Sequence, residues 1–437
     1  MSNPRTAYLN ARIVDPSAGR DEIGGLLVED GRILDAGAAV SAETLADDVA
    51  TIDCQGLTLI PGLVDIQVYA REPGAEHQET FATASAAAAA GGVTAFATMP
   101  NTDPVIDDVA LVEYVRRLAD DIGGVRIHPF AAATKGLRGT EMTEIGLLQA
   151  AGAVGFTDGG QAITEAQFMR RLMAYAAAHD ALIWQHPEEP SLTTEGDMND
   201  GETATRLGLI GIPTAAEVIM VERDIRLLEL TGGRYHVGPL STALSVEAVR
   251  RAKAAGLAIT ASTAPHYLAL NELAVGDYRT FAKTAPPLRS EADRRAVVAG
   301  LADGTVDIVA SGHCPQDAES KRLPFAQAAA GVVGLETLLP IALEQHHNQS
   351  VSLATILAAL TAKPARLLKL PFGTLARGSA ADFSLVDLDL AWRIDAEQLR
   401  SKSKNSAFDG KPVQGRVRRT YVDGRCLYDR DGEPPAS

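Results

Sequence analysis

Cysteine is scarce. The chain carries three in 437 residues, Cys54, Cys314 and Cys426, scattered and with no CxxC. An odd, dispersed set excludes a disulfide framework and fits a reducing compartment. Long apolar runs are also missing. No stretch reaches roughly 18 apolar residues and no basic-then-apolar leader is visible, so neither a membrane span nor a secretory leader is expected. Positive charge is in deficit: 40 Lys+Arg against 56 Asp+Glu, a formal net charge of −16. That argues against nucleic acid and anionic membrane as partners. Nucleotide-binding loops are absent too. No GxGxxG follows the first strong strand and no GxxxxGK[ST] occurs anywhere. The expectation is a soluble cytoplasmic protein.

What is present points to two structural textures. A length of 437 residues and a hydrophobic fraction of 46% suit a large barrel with a smaller companion. Short strands read out at Ala7–Val14, Gly25–Val28 and Arg32–Leu34, separated by turn signals such as Glu29-Asp30-Gly31. The same texture returns at Ala381–Val386 and Arg416–Tyr428, so both ends are expected to build one β-domain. The domains are expected at residues 1–58, 59–365 and 366–437: sandwich, inserted barrel, sandwich. Asp429–Ser437, polar with Gly and Pro, reads as frayed.

Between these ends strands and helices alternate. Eight strand candidates follow one another: Leu63–Tyr69, Val93–Met99, Val125–Phe130, Ala153–Asp158, Ala181–His186, Tyr235–Leu240, Leu257–Ser262 and Val306–Ser311. Thr164–His179 has Phe168, Leu172, Met173 and Ala176 at helical spacing. Ser245–Gly256 reads as a helix capped at Ser245 and closed by Gly. This alternation predicts an α/β fold, a parallel (β/α)8 barrel of the TIM type.

The first barrel strand concentrates the functional question. Chemistry in such barrels sits where strands pass into the loops that follow them. Alternation sends Asp65, Gln67 and Tyr69 to one side. A metal-dependent hydrolase needs two histidines there, one residue apart, so that both imidazoles reach one ion. This chain offers an amide and a phenol.

Several motifs carry a family resemblance nearly end to end. Ile60-Pro61-Gly62-Leu63-Val64-Asp65, Arg71-Glu72-Pro73-Gly74, Met99-Pro100-Asn101-Thr102, Lys283 with Pro286-Pro287-Leu288-Arg289, and Gly331-Val332-Val333-Gly334-Leu335-Glu336-Thr337 resemble the type I dihydroorotases of the amidohydrolase superfamily. So does the segment Ser401-Lys402-Ser403-Lys404-Asn405 with Phe408 and Gly410. The resemblance implies a zinc-dependent barrel with a β-sandwich, acting on dihydroorotate and carbamoyl-aspartate in pyrimidine synthesis. Such chemistry needs a metal-activated water and a carboxylate that moves the proton. Carried over position by position, the family's His-x-His falls on Gln67 and Tyr69. The ligand of the fourth strand end falls on Gly159, next to Asp158. The fifth-strand histidine is His186. The sixth-strand histidine falls on Pro239, before Leu240-Ser241-Thr242. The catalytic aspartate of the eighth strand falls on Gly312, and a substrate-contacting histidine on Gln316. Arg71 and Asn101 stand where the family holds the substrate carboxylate, a task that suits an Arg fork. The matching Asn of the Lys283 motif is Ala285.

Plainer readings stand beside these. His186 alone reads as a hydrogen-bonded remnant. Arg71 fits a carboxylate clamp, or an ion pair with Glu72 or another loop acid. Asn101 fits turn chemistry as well as ligand binding. His236 and His313 read as structural, and His77, His128, His266, His346 and His347 match no ligand spacing. Asp65, Asp158 and His186 are a minor alternative metal set, and His313 with Cys314 a minor nucleophile pair. The resemblance is therefore to the non-catalytic dihydroorotase-like chains that assemble with aspartate transcarbamoylase catalytic chains. A structural or regulatory role in pyrimidine biosynthesis is expected, with no cofactor and with a homodimer inside a larger complex. The alternative is an active dihydroorotase, or another cyclic-amide hydrolase, using zinc in an atypical site. A ligand sensor acting through Arg71 and Asn101 is the third class.

Overall fold

Period-two patterning builds the terminal sheet. Along Pro412–Val422, Val413, Gly415 and Val417 are buried between more accessible neighbours, as one packed face requires. The computed structural model describes residues 5–432 and places this strand in an eight-stranded sheet. Its order is Arg425–Asp429, Pro412–Val422, Phe383–Arg393, Thr58–Pro61, Thr6–Asp15, Arg20–Glu29, Arg32–Gly37, with Ala50–Asp53 also paired to Thr6–Asp15. The two ends of the chain meet at Thr58–Pro61. It pairs antiparallel with Phe383–Val386 and parallel with Arg12 and Ile13. Tyr8, Phe383 and Tyr421 form an aromatic centre with centroids 4.5–5.1 Å apart, and Ile13, Leu26 and Ile33 belong to the same core.

The C-terminal run differs from expectation in two ways. Residues 416–428 are not one strand, because Asp423 and Gly424 take positive φ and turn the chain. Asp429 to Gly432 are held rather than frayed: Arg430 N donates to Arg418 O at 2.9 Å, and Arg418 pairs with Asp431. Residues 433–437 of that expectation lie outside the described residues.

The barrel strands run parallel. Leu63–Val68 pairs with Val93–Thr98, and that with Arg126–Pro129. Leu182–Gln185, Arg234–Val237, Ile259–Thr263 and Ile308–Val309 pair in succession. The expected fourth strand is reduced to bridges at Phe156, toward Ala131 and Ile183. Gly155 packs so tightly on the Phe130 ring that an added Cβ would lie 2.6 Å from it. Three residues on, Asp158 turns toward Thr134, and regular pairing stops. The ring closes where Val68 bridges His313 and Tyr69 N donates to His313 O at 2.8 Å. Ile66, Ala97, Phe130, Leu182, Trp184, Ile308 and Ala310 form one buried cluster, so the barrel is a packed core and not a pore.

Ala166–Ala178 is helical as expected, with Glu165 as its N-cap. The later helix runs Ala243–Ala254, and its cap is Thr242, not Ser245. Thr242 Oγ1 accepts the Ser245 N–H at 3.2 Å, while its own hydroxyl donates to Ser245 Oγ. Among the described residues no helix is long and apolar enough to cross a membrane.

Candidate functional site

The strand ends leave a cavity of about 160 Å³ at the barrel mouth. Gln67, Tyr69, Arg71, Asn101, His186, Pro239 and Gly312 all line it. So do His266, which matched no ligand spacing, and Cys314, which the sequence offered only as a minor nucleophile beside His313. Gly159 lies directly behind Asn101. The fold therefore brings together in one place the positions at which the resemblance expects metal ligands, with Arg71 and Asn101, expected to hold a carboxylate, beside them.

His186 and Gln67, two of the donors left at the mouth, are bonded inside the protein. His186 is 4% exposed, and its Nε2 lies 2.9 Å from Glu188 Oε2. Its Nδ1 and Glu188 Oε1 have no hydrogen-bond partner. Gln67 Nε2 reaches the Tyr69 hydroxyl at 3.4 Å, and Gln67 Oε1 is buried without a partner. Burial pushes the Tyr69 phenol up to about 12, so it stays neutral. Its ring lies 5.5 Å from the Arg71 guanidinium.

The alternative metal set does not assemble. Asp65 is fully buried, and its Oδ1 accepts from Gln67 N at 3.1 Å and Ser311 N at 3.0 Å, tying the first strand to the eighth. Burial raises its pKa, against those hydrogen bonds. Asp158 faces Thr134, whose N–H and hydroxyl both donate to it. Burial pushes the Asp158 carboxyl up to about 6. Three acidic or imidazole groups thus point to three separate partners.

His313 and Cys314 also point apart. His313 Nδ1 accepts from Gly334 N at 3.1 Å, which leaves the ring proton on Nε2. That nitrogen lies 3.4 Å from Glu79 Oε2, a polar contact misaligned for a hydrogen bond. Glu79 in turn accepts from Ser401 and from Lys402 N, so this buried pair docks the Ser401–Asn405 segment on the barrel. Cys314 Sγ faces the opposite way and accepts from Arg71 Nη2 at 3.1 Å. His236 is satisfied on both nitrogens, by Thr260 Oγ1 at 2.8 Å and Ser262 Oγ at 2.9 Å; burial takes it down to about 3. His266 is likewise pushed down to about 3 by burial, so it faces the cavity neutral.

The substrate-side residues divide. Arg71 has φ +63 and donates through Nε to Pro315 O at 3.2 Å. The expected pairing with Glu72 does not form: Glu72 instead accepts from Phe81 N at 2.7 Å, where a helix begins and its first N–H groups need acceptors. Among the described residues Arg71 has no carboxylate partner within 4 Å, and it keeps donors free at the cavity. The Lys283 motif is structural. Lys283 Nζ donates to Phe325 O and Ala326 O, and buried Arg289 donates to Ser241 Oγ, Asn199 Oδ1 and Ile212 O.

A zinc ion of the family's kind does not fit this donor set. Zinc in catalytic sites is held by three protein ligands of the Cys, His, Asp or Glu type and keeps one open position. Among the described residues no group of three or more such side chains is placed to hold a metal. Two of the positions expected to carry ligands also leave little room for a side chain. A Cβ at Gly159 would come within 3.1 Å of Asn101 Cγ, and one at Gly312 within 3.3 Å of His266 Cε1. Both glycines have φ near +60, a region that side chains rarely adopt.

Comparison with known proteins agrees with the fold. A Dihydro-orotase-like family model matches residues 56–245. The chain is 44% identical over 427 residues to a protein named dihydroorotase from Anaplasma phagocytophilum, covering 97% of this chain and 95% of that one. It is 44% identical over 430 residues to a dihydroorotase of Wolbachia sp. subsp. Brugia malayi, covering 98% and 97%. In three dimensions it is similar to the L-hydantoinase (dihydropyrimidinase) of Arthrobacter aurescens, with a TM-score of 0.87 at 26% identity over 99% of this chain and 97% of that one. The dihydropyrimidinase of Brevibacillus agri superposes with a TM-score of 0.84 at 21% identity over 97% and 95%, a likeness of fold.

Proposed function

This chain belongs to the dihydroorotase family, and we propose that it serves pyrimidine biosynthesis without hydrolysing dihydroorotate, as a structural or regulatory subunit of aspartate transcarbamoylase. One observation carries the non-hydrolytic half. The mouth presents an amide, a phenol, a proline and Gly312, with Gly159 behind Asn101, at the positions that should hold or serve the metal, and its one retained ligand, His186, is bonded to Glu188. An unactivated amide is attacked only by an activated water, and no carboxylate stands at Gly312 to move its proton. The partner half rests on family analogy, together with a scaffold that is complete without its chemistry. A homodimer inside the larger complex is the expected arrangement.

A second reading has its own support. The relatives at 44% identity are named dihydroorotase, which favours an active enzyme opening dihydroorotate to N-carbamoyl-aspartate through an atypical site. Two measurements separate the readings. The first is zinc content and dihydroorotate ring opening for protein purified without chelator. Near-stoichiometric zinc and a clear rate, both lost in His186→Ala, establish the active enzyme. The second is gel filtration of this chain co-expressed with its own organism's transcarbamoylase, with carbamoyl-aspartate formation as readout. Separate elution at micromolar concentration and indifferent activity remove the subunit role and leave ligand sensing through Arg71 and Asn101.

A further inference from the structure

A second and larger groove lies beside the mouth. Its cavity is about 700 Å³, within the range of small-molecule sites. We propose that this groove binds a small, multiply charged, phosphate-bearing molecule through Arg279, Lys321, Arg322, Lys402 and Lys404. The inference stands whether or not the mouth hydrolyses anything.

The argument is electrostatic and geometric. On a chain of net charge −16, five cations line one groove. Among the described residues none of the five makes an ion pair within 4 Å. The lysines are held by backbone carbonyls instead. Lys321 Nζ donates to Thr280 O at 3.0 Å and Ala329 O at 2.7 Å, Lys402 Nζ to Glu76 O at 2.6 Å, and Lys404 Nζ to Ser401 O at 2.9 Å. A carbonyl orients an ammonium without neutralising it. Lys321 is only 4% exposed, and burial pushes its pKa down to about 8, so it is still mostly charged at neutral pH. A buried charge without a counter-charge is costly, and an anion in the groove relieves it.

The groove's own acids do not serve that purpose. Asp317 is occupied by Ser320 N at 2.8 Å and Gln78 Nε2 at 3.1 Å. Glu319 and Glu397 are exposed. Two arginine forks beside several ammonium groups suit phosphate oxygens, and Tyr278 and Phe281 on the same wall supply apolar contact for an organic part. The groove also shares a wall with the mouth. Asn405, which lines the groove, donates to Cys314 O at 3.1 Å and Gly331 O at 3.0 Å, and both of those residues line the mouth.

The test is calorimetric titration of the full chain with inorganic pyrophosphate at low ionic strength, with citrate as the polycarboxylate control. Saturable binding at one site is expected, with citrate weaker. Arg279→Ala with Arg322→Ala removes two side chains that make no ion pair in the fold, and should weaken pyrophosphate at least about tenfold. Arg322→Glu alone, at an exposed position, should act in the same direction. The exposed pair Arg117→Ala with Arg171→Ala, and Arg71→Ala at the mouth, should each change it by no more than about twofold. Absent saturation, tighter citrate, unchanged binding in the groove variants, or equal weakening in either control overturns the proposal.

Discussion

Restoring a carboxylate at Gly159 should destabilise the protein and should not restore metal binding. Gly159 is buried at φ +66, and a Cβ there would meet Asn101 Cγ and Oδ1 at 3.1 Å and Cβ at 3.2 Å. The left-handed backbone costs a non-glycine residue about 1–2 kcal/mol. Crowding the Asn101 side chain adds about 1–2 kcal/mol unless it moves. Gly159→Asp is therefore expected to lose roughly 2–4 kcal/mol in urea unfolding. Trp184 is a suitable probe, because it is 1% exposed and packs edge-on against Phe130 and His236. Adding Asn101→Ala removes the Cγ and Oδ1 contacts but keeps the Cβ at 3.2 Å, so it should recover part of the crowding and none of the backbone cost, a coupling of about 1 kcal/mol in the double-mutant cycle. Zinc at tens of micromolar should not raise the variant's midpoint, since only a metal bound to the folded state stabilises it. A neutral Gly159→Asp, or one that zinc stabilises by several degrees, would refute the claim that this ligand position has been closed.

Other outcomes follow from the same geometry. Chelator should leave the wild-type melting temperature unchanged by calorimetry, and purified protein should carry well under one zinc per chain by elemental analysis. Gln67→His alone should recover no dihydroorotate ring opening, because groups that act as a unit are not restored singly. Asp158 makes stability depend on pH: its folded pKa, near 6, lies above the ordinary value, so the folded state holds the proton longer and stability falls as pH rises from about 4 through 6. The advantage of wild type over Asp158→Asn in urea should therefore shrink by on the order of 2–3 kcal/mol between pH 4 and pH 7; a constant difference would contradict a buried, reluctantly ionised carboxyl.

The barrel was legible because alternation and burial repeat over long stretches. Its fourth strand was not, because pairing there is cut short by Gly155 against Phe130 and by the turn of Asp158 toward Thr134. Period counting sees Ala153–Asp158 as a strand and cannot see a neighbour across the barrel. The degenerate ligand positions were legible by motif, and the fold does gather them at one cavity. His266 was missed as a lining residue, and Cys314 was weighed only as a partner of His313, because they come from different strand ends with no characteristic spacing. A signal for Cys314 was available: it stands between the Ser311-Gly312-His313 run and Pro315, where a barrel strand hands over to its loop. The helix cap at Thr242 was missed for a smaller reason. Ser245 looks like a capping residue in sequence, but its N–H is the group being capped.

The residues that make the chain recognisable and the residues that decide its chemistry are different sets. Arg289 holds Ser241, Asn199 and Ile212, and Lys283 holds the Phe325–Ala326 turn. Asn405 clamps the Cys314 and Gly331 carbonyls, and Glu79 docks Ser401 and Lys402. Each is a buried or half-buried polar group whose loss leaves partners unsatisfied, at a cost of about 1–3 kcal/mol. Stability alone is enough to retain such residues, whether or not a reaction occurs above them. On the proposed reading, in which no metal is held, Gln67, Tyr69, Gly159, Pro239 and Gly312 lie under the opposite constraint: what matters there is that the mouth be filled. Asn101 against Gly159 and neutral His266 beside Gly312 do part of that filling. Likeness over the whole length therefore speaks to the scaffold, and the donor set at the mouth speaks to the reaction.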